Sequence, residues 1–331
     1  MRRILIIKPS SIGDVLHTFP AVALMRRALD GDLRISWVVN ENLRGVVELC
    51  PGIDRIVPFP RASMWRPSCI CAFLRELRSE KYDVALDFQG LLKSGLIAHF
   101  SGAPLRAGFA HAREGSPWFY NRKVRIPNMH SHAADKNLLL VKEVFGIEDD
   151  IAPSQVPIVT AGGGRDGNRV AVCFSSRWKS KNWPLGFLAS VMDELAASRP
   201  GISFLLIGSK DDAEAGDELA ELVKKAKVAN LAGKTDFKGL AKLLAEASVL
   251  FTVDSGPMHL AAACGTPCVA LFGATDPVLT GPYGAPGFHS VILSKCAKSP
   301  CFRRQCPLEA DCSAGVSPEE AAQAMASYLK E

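Results

Sequence analysis

The sequence lacks any apolar stretch long and clean enough to span a bilayer. Its longest, around 257–273, is interrupted by Gly, Pro, His and Thr. It lacks a leader pattern as well. Only four apolar residues separate Arg3 from Lys8, too few for the core of a signal peptide, so a cytoplasmic location is expected. No G-x-G-x-x-G follows the first apolar run, which disfavours a dinucleotide site, and no G-x-x-x-x-G-K-[ST] occurs, which excludes a P-loop enzyme. Asp30-Gly31-Asp32 is a D-x-D, but it falls in a turn after a helical stretch, a poor place for a metal–diphosphate centre. The charge excess is small: 39 Lys and Arg face 34 Asp and Glu. All of it lies in residues 1–150, where 21 basic side chains meet 16 acidic ones. That suits an anionic partner of the first half but is too mild for nucleic acid.

The ten cysteines of a chain expected in the cytoplasm are read as thiols rather than disulfides. Cys173, Cys264 and Cys268 lie in apolar runs and suit small core positions. Cys296, Cys301, Cys306 and Cys312 cluster, but their spacing is not the paired CxxC of a zinc knuckle. A compact loop of reduced thiols is the expectation, with no metal and no cofactor.

What the chain does have is two runs of alternating apolar strands and amphipathic helices. In the first half, strands are expected at 3–8, 35–39, 55–58 and 84–87. Helices are expected at 15–29, kinked at Pro20, and at 43–49, 70–79 and 93–100. Residues 149–169 contain three consecutive glycines and no helical periodicity, which reads as a linker. The rhythm then restarts, with strands at 170–174, 202–207, 249–253 and 268–272 and helices at 184–197, 213–226 and 240–247. Ser317-Pro318-Glu319-Glu320 is a capping-box start for a terminal helix to about Leu329. Such alternation implies two α/β units, each with a mostly parallel sheet covered on both faces.

Chemistry concentrates at the strand ends. In 249–273, Asp254-Ser255-Gly256-Pro257 interrupts a buried strand and opens a short helix that Gly265 can cap. A polar, glycine-containing turn at a helix start offers backbone N–H groups and the positive end of a dipole to a phosphate. The competing reading is that Ser255 merely caps the helix and His259 fills core. The stretch 175–181, SSRWKSK, brings hydroxyls, amides and lysines to another strand end, a recipe for a diphosphate or simply a solvated basic loop. Asp14, after Gly13 in the turn of the first strand, can act as a base toward a bound hydroxyl or can serve as a helix cap. Arg106, His111, Arg113, Arg122, Lys123 and Arg125, interleaved with aromatics, suit an acidic acceptor or a plain charged surface.

At these residues a resemblance emerges. SSIGDVLHTFP (10–20), DFQGLLKS (87–94), AREGSPWFYNRK (112–123), KNWP (181–184) and VDSGPMHLAAACGTPCVALFGATDP (253–277) resemble the ADP-heptose:lipopolysaccharide heptosyltransferases of glycosyltransferase family 9. The first and third of these favour the family's first heptosyltransferase over its second. The resemblance implies a GT-B fold, two Rossmann-like domains facing across a cleft. Residues 1–155 would bind the acceptor, 156–315 the nucleotide sugar, and the helix in 316–331 would pack back on the first domain. It implies transfer from ADP-heptose to Kdo-modified lipid A, with contact to the inner membrane from its cytoplasmic face and no nucleic acid. Asp14 falls on the base and Lys181 on the lysine that contacts the donor diphosphate. Asp254, Ser255, Gly256 and His259 fall on the donor turn, and Thr235 near the adenine. Ser175 and Ser176 stand where the family has a Thr-Thr pair. Ser10, Ser11, Gly13, Arg61 and Arg113 lie on the acceptor side. Two alternatives stay open: a related transferase with another nucleotide sugar or a later core acceptor, and a non-catalytic sugar-nucleotide-binding protein.

Overall fold

The computed structural model describes residues 1–29, 31–149, 165–306, 312–313 and 315–329. Asp30 of the D-x-D, most of the expected linker and the expected boundary at 155 lie outside the described residues. The chain divides into two compact units, Met1–Val159 and Thr160–Glu331.

The first unit holds β1 (Arg2–Ile7), β2 (Leu33–Asn40), β3 (Arg55–Phe59), β4 (Val84–Asp87), β5 (Leu105–Phe109) and β6 (Arg122–Val124). They form one sheet in the order β3-β2-β1-β4-β5-β6, every pairing parallel. The centre of β1 is fully buried from Ile4 to Ile7, as a strand flanked on both sides and covered on both faces must be. The helix expected as one kinked rod over 15–29 is two: Ile12–Leu16, then Phe19–Ala28 with Pro20 in its first turn. Proline there loses no hydrogen bond, so it starts the second helix instead of bending the first.

The second unit holds β7 (Asp166–Cys173), β8 (Ser203–Ile207), β9 (Lys227–Asn230), β10 (Ala247–Val253), β11 (Cys268–Phe272) and β12 (Ser290–Leu293). Their order, β9-β8-β7-β10-β11-β12, repeats that of the first unit, again all parallel. Every residue of β10 and β11 is buried. Gly265, at φ +73°, ends the helix Gly256–Ala263 in the left-handed conformation expected of it.

The terminal helix, Pro318–Ala326, starts as expected, with Ser317 Oγ accepting from Glu320 N at 3.1 Å. Its apolar face packs inside the second unit. Ala321, Ala322 and Met325 are buried in the core of the second, with Leu188, Val191, Met192 and Leu195 of the helix Leu185–Ser198.

Two Rossmann-like units in tandem are the α/β architecture of the GT-B class. In each sheet the strand order reverses once, between β1 and β4 and between β7 and β10. Open parallel sheets bind ligands beyond the carboxyl ends of the strands at such reversals.

Candidate active site

The reversal in the first unit carries the turn after β1 and the turn after β4. Lys8 leaves β1 buried, and its ammonium donates to the Phe88 carbonyl at 3.0 Å. The same ammonium lies 3.7 Å from Asp14 Oδ1. Asp14 Oδ2 accepts from the Ser11 amide at 2.9 Å and the Ser11 hydroxyl at 2.7 Å. Asp14 stands at the third position of the helix, whose N-cap is Ser11. It closes the first turn of Ile12–Leu16 as a capping-box partner, yet its side chain stays 43% exposed and open to a substrate. Gly13 is buried in that turn, and the Ser10 amide donates to Gln89 Oε1 at 3.4 Å.

Beneath the turn after β4 sits Asp87, fully buried. Its Oδ2 accepts from Tyr120 Oη at 2.5 Å, and Oδ1 accepts from the amides of Gln89 and Gly90 at 2.8 and 3.0 Å. Burial pushes the carboxyl above its usual range despite those donors, and burial beside Asp87 pushes the Tyr120 phenol up. Arg113 stands exposed on the loop after β5, its amide donating to the Gly90 carbonyl at 2.9 Å. The loops of Arg113, Gly90 and Ser10 are thus neighbours. Arg61 is exposed on a short turn after the edge strand β3, with no described hydrogen bond to them.

The rest of the basic cluster is partly structural. Arg106 donates to the carbonyls of Phe119 and Ala103, and Arg122 to that of Glu143. These two guanidinium groups tie loops to the sheet edge.

The reversal in the second unit pairs the turn after β7 with the turn after β10. Lys181 Nζ lies 2.6 Å from Asp254 Oδ2, and Thr275 Oγ1 donates to the same oxygen at 2.5 Å. Asp254 is only 4% exposed, so its carboxylate is spent on Lys181 and Thr275. It holds the lysine in place. Lys181 also lies 4.7 Å from the centroid of the Trp178 indole. Ser176 is fixed through its amide, which donates to Asn182 Oδ1 at 2.7 Å; Ser175 lies beside it, half-buried.

Ser255 occupies the N-cap of Gly256–Ala263 but makes no side-chain capping bond. Its hydroxyl turns to Thr252 Oγ1 at 3.1 Å and Cys173 Sγ at 3.3 Å. The helix start at Gly256 is therefore not closed by its own side chain, unlike that of Ile12–Leu16 in the first unit. A helix start left without a side-chain cap keeps its positive dipole end available to an anion. His259 is buried inside the same helix. Thr235 is exposed on the turn after the edge strand β9, with no hydrogen bond to this group.

Cys296, Cys301, Cys306 and Cys312 line one pocket of about 200 Å³ with Ser180, Gly273, Lys298, Ser299 and Arg303. All ten cysteines are free thiols, and among the described residues no three side chains gather as metal ligands. Burial raises the thiols of Cys264, to about 12, and of Cys268, which keeps them inert as core residues.

Sequence reasoning missed Lys8, Asp87, Tyr120, Thr275 and Trp178. A lysine closing an apolar strand, and an aspartate opening the turn after another, were the available signals for the first two. The others are recognised only through their tertiary partners.

Residues 70–311 match the model of glycosyltransferase family 9 (heptosyltransferase). Lipopolysaccharide heptosyltransferase 1 of Pseudomonas aeruginosa is 29% identical over 327 residues, covering 93% of this chain and 89% of that one. Its namesake in Escherichia coli K12 is 31% identical over 300 residues, covering 85% and 91%. The solved E. coli heptosyltransferase WaaC with ADP superposes with a TM-score of 0.74 at 29% identity, over 87% of this chain and 92% of that one. On these matches the chain belongs to glycosyltransferase family 9, the heptosyltransferases.

Proposed function

We propose that this protein transfers a heptosyl residue from ADP-L-glycero-D-manno-heptose to the Kdo-lipid A inner core of lipopolysaccharide, with inversion at the anomeric carbon. Support comes from the names of its relatives and from the ADP in the solved E. coli structure. The observation that carries the donor assignment is the Lys181–Asp254 pair beside the uncapped start of Gly256–Ala263.

In this reading the second unit holds the donor. Amides at Ser255 and Gly256 and the Lys181 ammonium take the charge that grows on the departing ADP. His259 backs the turn, the hydroxyls of Ser175 and Ser176 flank the phosphates, and Thr235 borders the adenine. In the first unit, Asp14 removes the proton from the acceptor hydroxyl as that oxygen attacks the anomeric carbon. A single carboxylate suffices, because a diphosphate departs without the acid that glycoside hydrolysis requires. Ser10, Ser11 and Gly13 shape the acceptor side of that turn, and Arg113 and Arg61 meet the acidic Kdo sugars.

A lipid-linked acceptor calls for work at the cytoplasmic face of the inner membrane, and the basic excess of residues 1–150 fits a peripheral approach to an anionic leaflet. Among the described residues, no helix is long and apolar enough to cross a membrane.

The test is a transfer assay with ADP-heptose and Kdo-lipid A, with mass-spectrometric detection of the heptosylated product. ADP should raise the melting temperature more than UDP or GDP. Binding of ADP-heptose without product would leave a sugar-nucleotide-binding protein; a stronger shift with UDP or GDP would change the donor.

A further inference from the structure

The buried pair Lys181–Asp254 poses a charge problem. At 2.6 Å the two groups cancel, yet the diphosphate assigned to this place carries at least two negative charges. Helix-start amides supply partial charge, equivalent to about half an elementary charge. Further positive charge must come from elsewhere in the second unit.

We propose that Arg304 supplies it, as a second cation that binds the donor diphosphate beside Lys181. The inference rests on the assignment of the donor to this unit. Arg304 is exposed, and its guanidinium lies 5.5 Å from the centroid of the Trp178 ring, the same indole that Lys181 covers at 4.7 Å. Among the described residues it forms no ion pair and donates no hydrogen bond, so its charge is unspent.

Its place is set by backbone, not by chance contact of a long side chain. The Ser180 amide donates to the Arg304 carbonyl at 3.3 Å, and the Ser180 hydroxyl donates to the Arg303 carbonyl. Ser180 is itself buried and adjoins Lys181. On the other side, the Phe302 amide donates to the Ala274 carbonyl at 2.7 Å, next to Thr275. The segment carrying Arg304 is thus fastened to two of the three loops that hold the Lys181–Asp254–Thr275 group, those of Lys181 and Thr275. A planar guanidinium brings paired donors that match phosphate oxygens, which the Lys181 ammonium does not. The irregular run around 301–306, read from sequence only as a thiol loop, acquires a role: it delivers an arginine to the donor.

The experiment is calorimetric titration of the full chain with ADP and with adenosine, for the wild type, Arg304→Gln, Arg304→Lys, Lys181→Ala and Lys298→Gln. Arg304→Gln should weaken ADP about tenfold or more, the loss of a charge-assisted hydrogen bond, and leave adenosine unchanged. Arg304→Lys should recover part of the loss. Lys298→Gln removes the same charge from the thiol-lined pocket and should stay within about twofold of the wild type if the effect is local. A merely structural role through Trp178 would weaken adenosine as much as ADP, and that result overturns the proposal. ADP affinity lost in Lys181→Ala but retained in Arg304→Gln overturns it alone. No ADP binding by the wild type would sink the donor assignment and this proposal together.

Discussion

The ammonium of Lys8 stands 3.7 Å from Asp14 Oδ1 while donating to the Phe88 carbonyl at 3.0 Å. One buried cation therefore joins the turn after β1 to the turn after β4, across the point where the strand order reverses. Replacing it by methionine keeps the bulk and removes both bonds. The Phe88 carbonyl loses its donor, and the Asp14 carboxylate is left with Ser11 as its described anchor. Misplacing a base by about an ångström costs on the order of a hundredfold in rate. Lys8→Met should lower kcat by about 10- to 100-fold with ADP affinity unchanged, read by steady-state kinetics and titration. An unaltered kcat would dissociate Lys8 from the function of Asp14.

Asp14→Asn tests the base directly. The amide is nearly isosteric, and its oxygen can still accept from Ser11, so the contacts that close the first helical turn can persist in part. The proton acceptor is lost. Loss of general-base catalysis costs about 10²–10⁴ in kcat. The variant should melt within a few degrees of the wild type and bind ADP normally while turnover collapses. Wild-type turnover would assign the proton transfer to another group.

How far the sequence reached follows from burial. β1, β4, β10, β11 and the second half of β7 were legible because strands covered on both faces must be nearly continuous apolar runs, and they are. β5, β6, β9 and β12 escaped because a short strand near or at a sheet edge can carry charge: Arg122-Lys123-Val124 has two cations in three residues. The same physics hid the duties of the basic cluster, since Arg106 and Arg122 look like ligand groups until their carbonyl partners are seen. Asp14, Lys181 and Asp254 stood out in the sequence because polar stretches follow apolar strands. That Asp254 faces Lys181 and Thr275, with little surface left for a ligand, needed distances.

Tyr120 and Asp87 make a prediction with a pH signature. The Tyr120 hydroxyl donates at 2.5 Å to a fully buried carboxylate whose pKa burial has raised. A raised carboxyl pKa means that the unfolded state gives up its proton first as pH rises. Stability from this group is therefore lost from pH 3.8, its ordinary value, up through the folded value. Tyr120→Phe removes a donor to the charged form and should cost about 1.5–3 kcal/mol where Asp87 is ionised. The cost should be smaller at pH 4 than at pH 7, because lowering the pH favours the protonated carboxyl, which has less need of the donor. Urea unfolding at the two pH values measures the difference. An equal cost at both would mean that the hydroxyl matters for packing rather than for the carboxylate's charge.

His289 carries the opposite sign in the second unit. Its Nδ1 accepts from the Cys268 amide at 3.1 Å, at the start of β11, and burial lowers its pKa from 6.5 to about 4. The folded state holds the ring neutral where the unfolded chain protonates it. The unfolded state therefore binds more protons in that interval, and stability falls as pH drops from 6.5 to about 4. A shift of this size corresponds to a loss of about 3–3.5 kcal/mol, complete near the folded value. His289→Asn retains an acceptor for the Cys268 amide and cannot titrate, so it should be less stable at pH 7 yet lose less on acidification. The quantity to follow is the wild-type minus variant unfolding free energy between pH 7 and pH 4.5, a difference in which the carboxylate titration common to both proteins cancels. It should narrow steadily as the buffer becomes more acidic; a constant difference would show that the imidazole stays neutral, or protonated, equally in both states.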